Sequence, residues 1–180
     1  MVSFSFSSVD DEISAIFEPG VAPPTKRLET LAKMKAEGLA IGMYFMPVIP
    51  FITDHPQMIE NAVYKAHKIG IDFIIFGGMT LKEGRQKEYF FNLLKKKYPD
   101  VLLQYENIYQ PNYYGQAKTV YYMSLNQLFF SFAKKYKIPV RIPPHIYSEF
   151  VSLDDKVIII LEHLDYLLKS VGGKSPYGYA

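Results

Sequence analysis

The segment Tyr44–Pro50, YFMPVIP, holds the residues of this sequence that are best placed to bind a ligand. It lies within Gly38–Asp54, where β-forming residues run into a loop with two prolines and then into a predicted helix. This strand–loop–helix order is typical of mostly parallel α/β proteins, in which ligands bind where the strands end. The alternative interpretation is that Met43, Phe45 and the prolines only pack and turn.

A pair of glycines, Gly77-Gly78, follows a second apolar run, Ile71–Phe76. Exposed backbone at glycine allows a ligand to approach closely, but the same pair also suits a tight turn. A small phosphate-binding α/β protein is one hypothesis that these glycines keep open. It ranks last because the sequence contains neither a P-loop nor a dinucleotide-binding fingerprint.

Several kinds of chemistry find no support in the residues. The chain has no cysteine, which excludes disulfides, thiol nucleophiles, cysteine zinc sites and Cys-ligated iron–sulfur clusters within this polypeptide. Glu162, His163 and Asp165 can be imagined as metal ligands, but their spacing fits no zinc or facial-triad pattern. No Gly-x-Ser-x-Gly elbow is present, so acyl transfer has no support either.

The charge pattern leaves a nucleic-acid partner open. The formal net charge is only +2, and the lysine groups Lys95–Lys97 and Lys134–Lys137 end predicted helices, where cations complement the helix dipole. Arg141 and the aromatic loop Tyr109–Tyr114 offer the alternative of phosphate contacts and base stacking.

No feature of the sequence predicts a membrane protein. No apolar run reaches the roughly 18 residues needed to cross a bilayer. The start, MVSFSFSSVDDE, lacks the features of a signal peptide. We therefore expect a cytoplasmic location and no membrane partner.

The elements that position these residues follow a βα order. Alternation of apolar residues with serine predicts a strand over Val2–Phe6, and apolar runs predict strands starting at residues 39, 71 and 101, which lie 32 and 30 residues apart. Parallel strands joined by crossovers are the common solution to this pattern. Helices are predicted after Pro23-Pro24, after a capping Asp54, and over 84–98, 116–136 and 154–171.

Other local predictions concern the flanks of these elements. Asp10–Gly20 is predicted to be irregular, Ser124 and Gln127 form a possible internal capping box, and Ile138–Ile142 is predicted to be a strand or an extended segment. We expect a single domain over residues 1–150, a C-terminal helix over 151–173 packed on it, and a flexible tail over 174–180. The stripe expected to dock that helix comprises Val157, Ile158, Leu161, Leu164 and Leu168.

The order of the motifs resembles the second half of radical S-adenosylmethionine proteins related to spore photoproduct lyase. The resemblance covers most of residues 2–145. Its motifs are the serine-bearing strand, Glu18-Pro19, Pro24 through Arg27-Leu28, and Leu128–Pro143. In the central strand they are Gly42, Pro47-Val48-Ile49-Pro50 and Asp54.

The resemblance implies the fold, the cofactors and a set of site residues. It predicts a half TIM-type barrel of consecutive parallel βα units with extra C-terminal helices. It implies that the full-length family binds S-adenosylmethionine and a [4Fe-4S] cluster, and that the cluster cleaves S-adenosylmethionine reductively. It places ribose or amino-acid contacts at Ser3 and Ser5, and adenine contacts at Met46, Pro47, Phe76, Gly77 and Gly78.

Two departures from the family pattern limit what this chain can do alone. The family's three-cysteine CxxxCxxC loop is absent, so no cluster is expected on this polypeptide and no residue of it is assigned as catalytic. Tyr44 stands where many relatives have an arginine, and Arg27 is interpreted as a surface or interhelix residue. Radical-type lyase or oxidoreductase activity would require an upstream cysteine-containing half.

The expected partner is that N-terminal half or a second copy of this chain. A half-barrel leaves the strand at Val2–Phe6 as an open edge with an uncovered apolar face, and a homodimer is the simplest closed remedy. The alternative function is a non-catalytic, self-associating α/β module without a cofactor.

Overall fold

Three strands form the sheet at the centre of the fold. The computed structural model describes residues 1–109, 114–148, 150–170, 172–174 and 176. Within these residues the strands are all parallel, lie in the order β1-β2-β3, and comprise β1 (Val2–Ser5), β2 (Ile41–Val48) and β3 (Phe73–Gly78). The predicted α/β class with consecutive parallel strands is confirmed. The described strands form an open sheet and not a barrel, which corrects the half-barrel expectation for this part of the chain.

Helices connect and cover the strands. Three of them begin with proline in the first turn, where its missing N–H is not needed. A short 3₁₀ helix covers Pro99–Val101. The helices are α1 (Asp11–Phe17), α2 (Pro24–Ala36), α3 (Pro56–Lys68), α4 (Arg85–Lys97), α5 (Leu102–Ile108), α6 (Thr119–Lys135), α7 (Pro144–Tyr147) and α8 (Leu153–Ser170).

The main core lies between one face of the sheet and α2, α3 and α6. Every second strand residue points into it, as the alternation in the sequence predicts. Met43 and Ile74 among them, and Phe6 directly after β1, are almost completely buried. The buried residues of α3, Ile59, Ala62, Val63 and Ala66, repeat at helical spacing and cover this face.

On the other face of the sheet, side chains pack tightly near the amino ends of β2 and β3. A Cβ added to Gly42 on β2 would lie 2.1 Å from Cζ of Phe73, its neighbour on β3, so only glycine leaves room for that buried ring. Ile75 of β3 shares a cavity lining with Arg141 and with residues of α8, so the C-terminal segment lies over this face.

A second apolar cluster joins the loops after β2 and β3 to α4 and α5. Tyr105 is fully buried in it, and its hydroxyl donates a hydrogen bond to the carbonyl of Pro50 at 2.7 Å. The Tyr109 hydroxyl donates to the carbonyl of Met79 at 2.7 Å. These two tyrosines therefore fix the loops that leave the carboxyl ends of two strands.

The prediction of a strand at Val101–Tyr105 is wrong. Val101 ends the 3₁₀ helix, and the following residues form α5. Tyr105 and Tyr109 are one helical turn apart and both buried, with rings stacked at 5.7 Å. The apolar run therefore faces its cluster with helical rather than strand periodicity.

Three capping and loop predictions are also corrected. Asp10 caps α1 by accepting hydrogen bonds from the amides of Glu12 and Ile13, in a region predicted to be irregular. Asp54 does not cap α3; its carboxylate instead accepts from the Tyr121 hydroxyl at 2.6 Å. Ser124 lies inside α6, where its hydroxyl donates to a backbone carbonyl, so no capping box forms there.

In the C-terminal region, α8 docks with a different side from the one that was predicted. The segment after α6 is extended, and Pro139 accepts one hydrogen bond from the amide of Ile74 at the outer edge of β3. In α8 the docked side includes Tyr166, while Val157, Ile158 and Leu164 of the predicted docking stripe are 51%, 43% and 41% exposed. Residues 175 and 177–180 of the predicted tail lie outside the described residues.

Candidate functional site

The carboxyl ends of the three strands meet at one edge of the sheet. Ser5 ends β1 and pairs in register with Tyr44, Phe45 pairs with Phe76, and Val48 pairs with Gly78, so the three strands end on the same side of the molecule. This is the edge at which ligands bind to parallel sheets. The structure therefore brings the predicted strand-end residues to one side of the molecule.

The predicted site residues divide between the two faces of the sheet. Ser3 and Ser5 alternate with the core residues and lie on the face away from α2 and α3. Met46 and Gly77 lie next to each other on that face, because a Cβ added to Gly77 would be 3.2 Å from the Cβ of Met46. Pro47 is exposed at an irregularity in the pairing of β2 with β3.

Phe76 and Gly78 point to the opposite face. The Phe76 ring stacks on Phe129 of α6 at 4.5 Å. A Cβ added to Gly78 would lie 2.2 Å from Cζ of Tyr122, also on α6. Both glycines are the last residues of β3 and do not follow it as a separate turn. The face that carries Ser5, Met46 and Gly77 is therefore separate from the positions of Phe76 and Gly78.

Ser5 is held in place through its backbone by Arg27. The guanidinium donates to the Ser5 carbonyl at 2.5 Å, to the Ser14 hydroxyl at 3.1 Å and to the Glu18 carboxylate at 2.6 Å. It also lies 4.8 Å from the centre of the Phe6 ring. Arg27 is only 7% exposed and joins α1, α2 and β1, so of the two predicted alternatives, surface or interhelix residue, the structure has the interhelix one.

Glu18 completes this anchor. Burial, the largest single effect, raises the pKa of Glu18, but hydrogen bonding to Ser7 and the positive charge of Arg27 together outweigh it and lower the pKa below its ordinary value. The Ser7 amide donates to Glu18 at 3.2 Å. Glu18 and Arg27 therefore act as an ion pair that fixes the end of β1 and the loop after it.

Two serine hydroxyls near β1 are buried without a hydrogen-bond partner among the described residues. They belong to Ser3 and Ser7. Ser3 was predicted as a site residue, whereas sequence reasoning gave Ser7 no role. Its position directly after an alternating Phe–Ser strand was the only available signal.

Sequence reasoning missed a cavity of about 710 Å³ under α8. Its lining combines apolar residues of the sheet and of α8 with charged side chains. Arg141 lines it, half-buried, with Cζ 3.5 Å from the centre of the Tyr166 ring, so its guanidinium is not part of an open basic surface. Four residues of the predicted loop Tyr109–Tyr114, numbers 110–113, lie outside the described residues.

The imagined metal ligands do not form a metal site where the structure describes them. His163 and Asp165 both line the cavity, but no group of three histidine, aspartate or glutamate residues suited to a metal occurs in the described part of the chain. Asp165 instead forms an ion pair with Lys169 at 2.8 Å. In the same described part, no helix is long and apolar enough to cross a membrane.

Comparison with known proteins finds distant relatives without an assigned role. The chain is 31% identical over 100 residues to "Uncharacterized protein ORF301" of Acidianus two-tailed virus, covering 54% of this chain and 33% of that protein. It is 24% identical over 109 residues to "Uncharacterized protein Rv2578c" of Mycobacterium tuberculosis, covering 61% of this chain and 32% of that protein. The matched region thus spans about a third of each relative. No protein-family model and no solved structure matches.

Proposed function

We propose that this chain supplies the S-adenosylmethionine-binding C-terminal part of a radical S-adenosylmethionine-type barrel. The observation that carries the proposal is the position of Ser5, Met46 and Gly77 at the carboxyl ends of three adjacent parallel strands, on one face. The motif order from β1 to α6 supports the same family. The open three-stranded sheet is then one portion of a larger barrel.

The residues on that face suit an adenosyl group. The Ser5 side chain is exposed, and a hydroxyl can both donate to and accept from ribose hydroxyls. Gly77 has no side chain above its backbone, and the adjacent Met46 offers a polarisable apolar wall for a flat base. Pro47 extends that wall. Phe76 and Gly78 do not fit, because their positions face α6.

The iron–sulfur cluster does not fit this polypeptide, because the sequence has no thiolate to hold it. Under our proposal the cysteines belong to a separate part of the assembly. When bound there, the cluster supplies one-electron reductive chemistry. The role of this chain is to position the adenosyl portion, and the anchor formed by Arg27 and Glu18 holds the Ser5 strand end in place.

Calorimetric titration of the chain with S-adenosylmethionine tests the proposal. At about −0.3 kcal/mol per non-hydrogen atom, an adenosyl group of about 18 such atoms gives a dissociation constant of about 0.1 mM. Ser5→Ala should weaken binding about three- to tenfold by removing one hydrogen-bonding group, and Gly77→Val should abolish it by filling the face beside Met46. Ser131→Ala, an exposed serine of α6, is the matched control and should change nothing. Equal affinity for all four proteins, or no binding at several millimolar, would overturn the proposal.

A second candidate is the self-associating module, and the surface of α8 favours it. Leu153, Val157, Ile160 and Leu164 follow the four–three–four spacing of a coiled-coil seam. Their exposed fractions are 76%, 51%, 50% and 41%. The spacing of these four residues is the same from either end of the helix. Two copies packed antiparallel would therefore place Leu153 opposite Leu164 and Val157 opposite Ile160. A two-fold interface of this kind satisfies both copies equally.

A further inference from the structure

The cavity under α8 has the size and lining of a small-molecule site. Its volume of about 710 Å³ falls within the range of roughly 300–1,000 Å³ that is common for ligand pockets. Ile75 of β3, Ile142 and Ile159 of α8 give it an apolar side. Polar side chains converge on it from the segment after α6, from α7 and from α8. Met1 also lines it, which places it towards the amino ends of the strands and away from the strand ends that carry Ser5, Met46 and Gly77.

Arg141 is the positive group that a ligand would meet. Stacking on Tyr166 occupies one face of the guanidinium and leaves its N–H edges directed in the plane. Its Nε is buried without a hydrogen-bond partner, and no carboxylate of the described residues forms an ion pair with it. Two acidic residues line the cavity: Asp165 is bonded to Lys169, and Glu162 is exposed. An arginine fixed in this way is ready to bind a planar or tetrahedral oxyanion through two parallel hydrogen bonds.

Tyr147 supplies a second donor. Its hydroxyl is buried and has no partner among the described residues. Burial raises the pKa of Tyr147, so the phenol keeps its proton at neutral pH and donates. Leaving such a buried donor unmet is costly, by about 1–3 kcal/mol, and a ligand oxygen would remove that cost.

His163 also lines the cavity, and its imidazole adds no positive charge to the lining. Burial, followed by the nearby charge of Arg141, lowers the pKa of His163, while Glu162 acts in the opposite direction. The imidazole is therefore neutral at pH 7. Of the charged side chains in the lining, Lys169 is neutralised by Asp165, which leaves Arg141 and the exposed Glu162.

We propose that this cavity binds a small organic oxyanion, with its carboxylate or phosphate on Arg141 and Tyr147 and its apolar body against Ile75, Ile142 and Ile159. The cavity lies on the same face of the sheet as the proposed adenosyl site but towards the amino ends of the strands, and the two share no residues, so the proposal does not depend on the proposed function. Carboxylate and phosphate share the same recognition chemistry, and the test below distinguishes them.

Titration of the full chain with phenyl phosphate and with benzoate tests the proposal. At least one of these two anions should bind. Benzyl alcohol is the control without a charge, and inorganic phosphate is the control without an apolar body. We expect both controls to bind at least about tenfold more weakly, because each lacks one half of the recognition. The preference between phenyl phosphate and benzoate assigns the type of oxyanion.

Variants locate the binding. Arg141→Gln should weaken the preferred probe by about ten- to 100-fold, and Tyr147→Phe, which removes only one oxygen, by about three- to tenfold. Arg85→Gln, an exposed arginine at the start of α4, is the matched control and should leave affinity unchanged. If Arg141→Gln fails to fold by circular dichroism, Tyr147→Phe and the shift of the His163 ring resonance on binding give the same decision. Benzyl alcohol binding as tightly as the anions, no anion binding at several millimolar, or equal loss in Arg85→Gln would overturn the proposal.

Discussion

Nη1 of Arg27 lies 2.5 Å from the carbonyl oxygen of Ser5 and closes the carboxyl end of β1 at the edge of the sheet. The amides of Val2 and Phe6 bond to the β2 side, so the carbonyl of Ser5 points the other way, to the free edge. A side chain from α2 thus takes the place that a neighbouring strand would occupy. The same guanidinium holds Glu18, so one residue links the strand end to two helices.

Loss of Arg27 should destabilise the fold strongly. Removing one partner of a buried ion pair costs about 3–5 kcal/mol, and the partial exposure of Glu18 brings our expectation for Arg27→Met to about 3 kcal/mol. Urea denaturation measures the change. Lys26→Met breaks the neighbouring but exposed Lys26–Glu29 pair and should change stability by less than about 0.5 kcal/mol. Equal effects of the two substitutions would contradict a buried anchor.

Glu18 should make stability depend on pH in the acid range. Its pKa in the folded protein is lowered, so the ionised form stabilises the fold above the ordinary value of about 4.3, and this contribution disappears as the pH falls through the lowered pKa. The stability difference between wild type and Glu18→Gln should therefore be largest at pH 7 and shrink as the pH falls below about 5. Urea denaturation at several pH values measures it, with the exposed Glu37→Gln as control. A difference that stays constant across this range would contradict the ion pair.

The glycines of β2 and β3 should respond differently to a methyl group. Gly42→Ala would place a Cβ 2.1 Å from the buried Phe73 ring and should cost about 2–3 kcal/mol through overpacking. Gly77→Ala would place a Cβ 3.2 Å from the Cβ and 3.3 Å from the Cε of Met46, a contact that a small shift relieves, and should cost less than about 1 kcal/mol. Thermal and urea denaturation compare them. Combining Gly42→Ala with Phe73→Leu should recover part of the loss, and no recovery would argue against this contact as the cause.

Self-association through α8 is tested by a charge placed in its exposed stripe. We expect a dimer at tens of micromolar, and Ile160→Glu should weaken it at least about tenfold because an unpaired carboxylate would enter the apolar seam. Size-exclusion chromatography with light scattering measures the mass. Gln104→Glu, an exposed position on α5, adds the same charge elsewhere and should leave the dimer intact. A wild-type monomer, or a dimer that Ile160→Glu leaves unchanged, would contradict this surface as the interface.

Local sequence patterns were sufficient to predict an element where its apolar residues pack on the side that the pattern indicates. The alternating serines of β1 and the buried stripe of α3 both face the predicted side. They were insufficient at Val101–Tyr105, because a short apolar run is compatible with strand or helix, and the decision came from packing of Tyr105 against distant aromatic rings such as Phe51 and Phe90.

Contacts between distant segments account for the other differences. Asp54 has the right type and place for a helix cap, but Tyr121, 67 residues further on, donates to its carboxylate instead. Strand alternation predicts part of the division of the site residues between the two faces of the sheet. The stacking of Phe76 on Phe129 could not be predicted in this way, because it depends on the position of α6. The cavity at Arg141 depends on α8 lying over β3, and no local spacing indicates that.

The central claim is that the face carrying Ser5, Met46 and Gly77 holds an adenosyl group. The most direct measurement is a two-dimensional amide NMR titration of the isotopically labelled chain with S-adenosylmethionine. We expect the largest concentration-dependent shifts at the amides of Ser5, Met46 and Gly77, and we expect these shifts to disappear in Gly77→Val. Shifts confined to residues of α8, or an unchanged spectrum at several millimolar ligand, would contradict it.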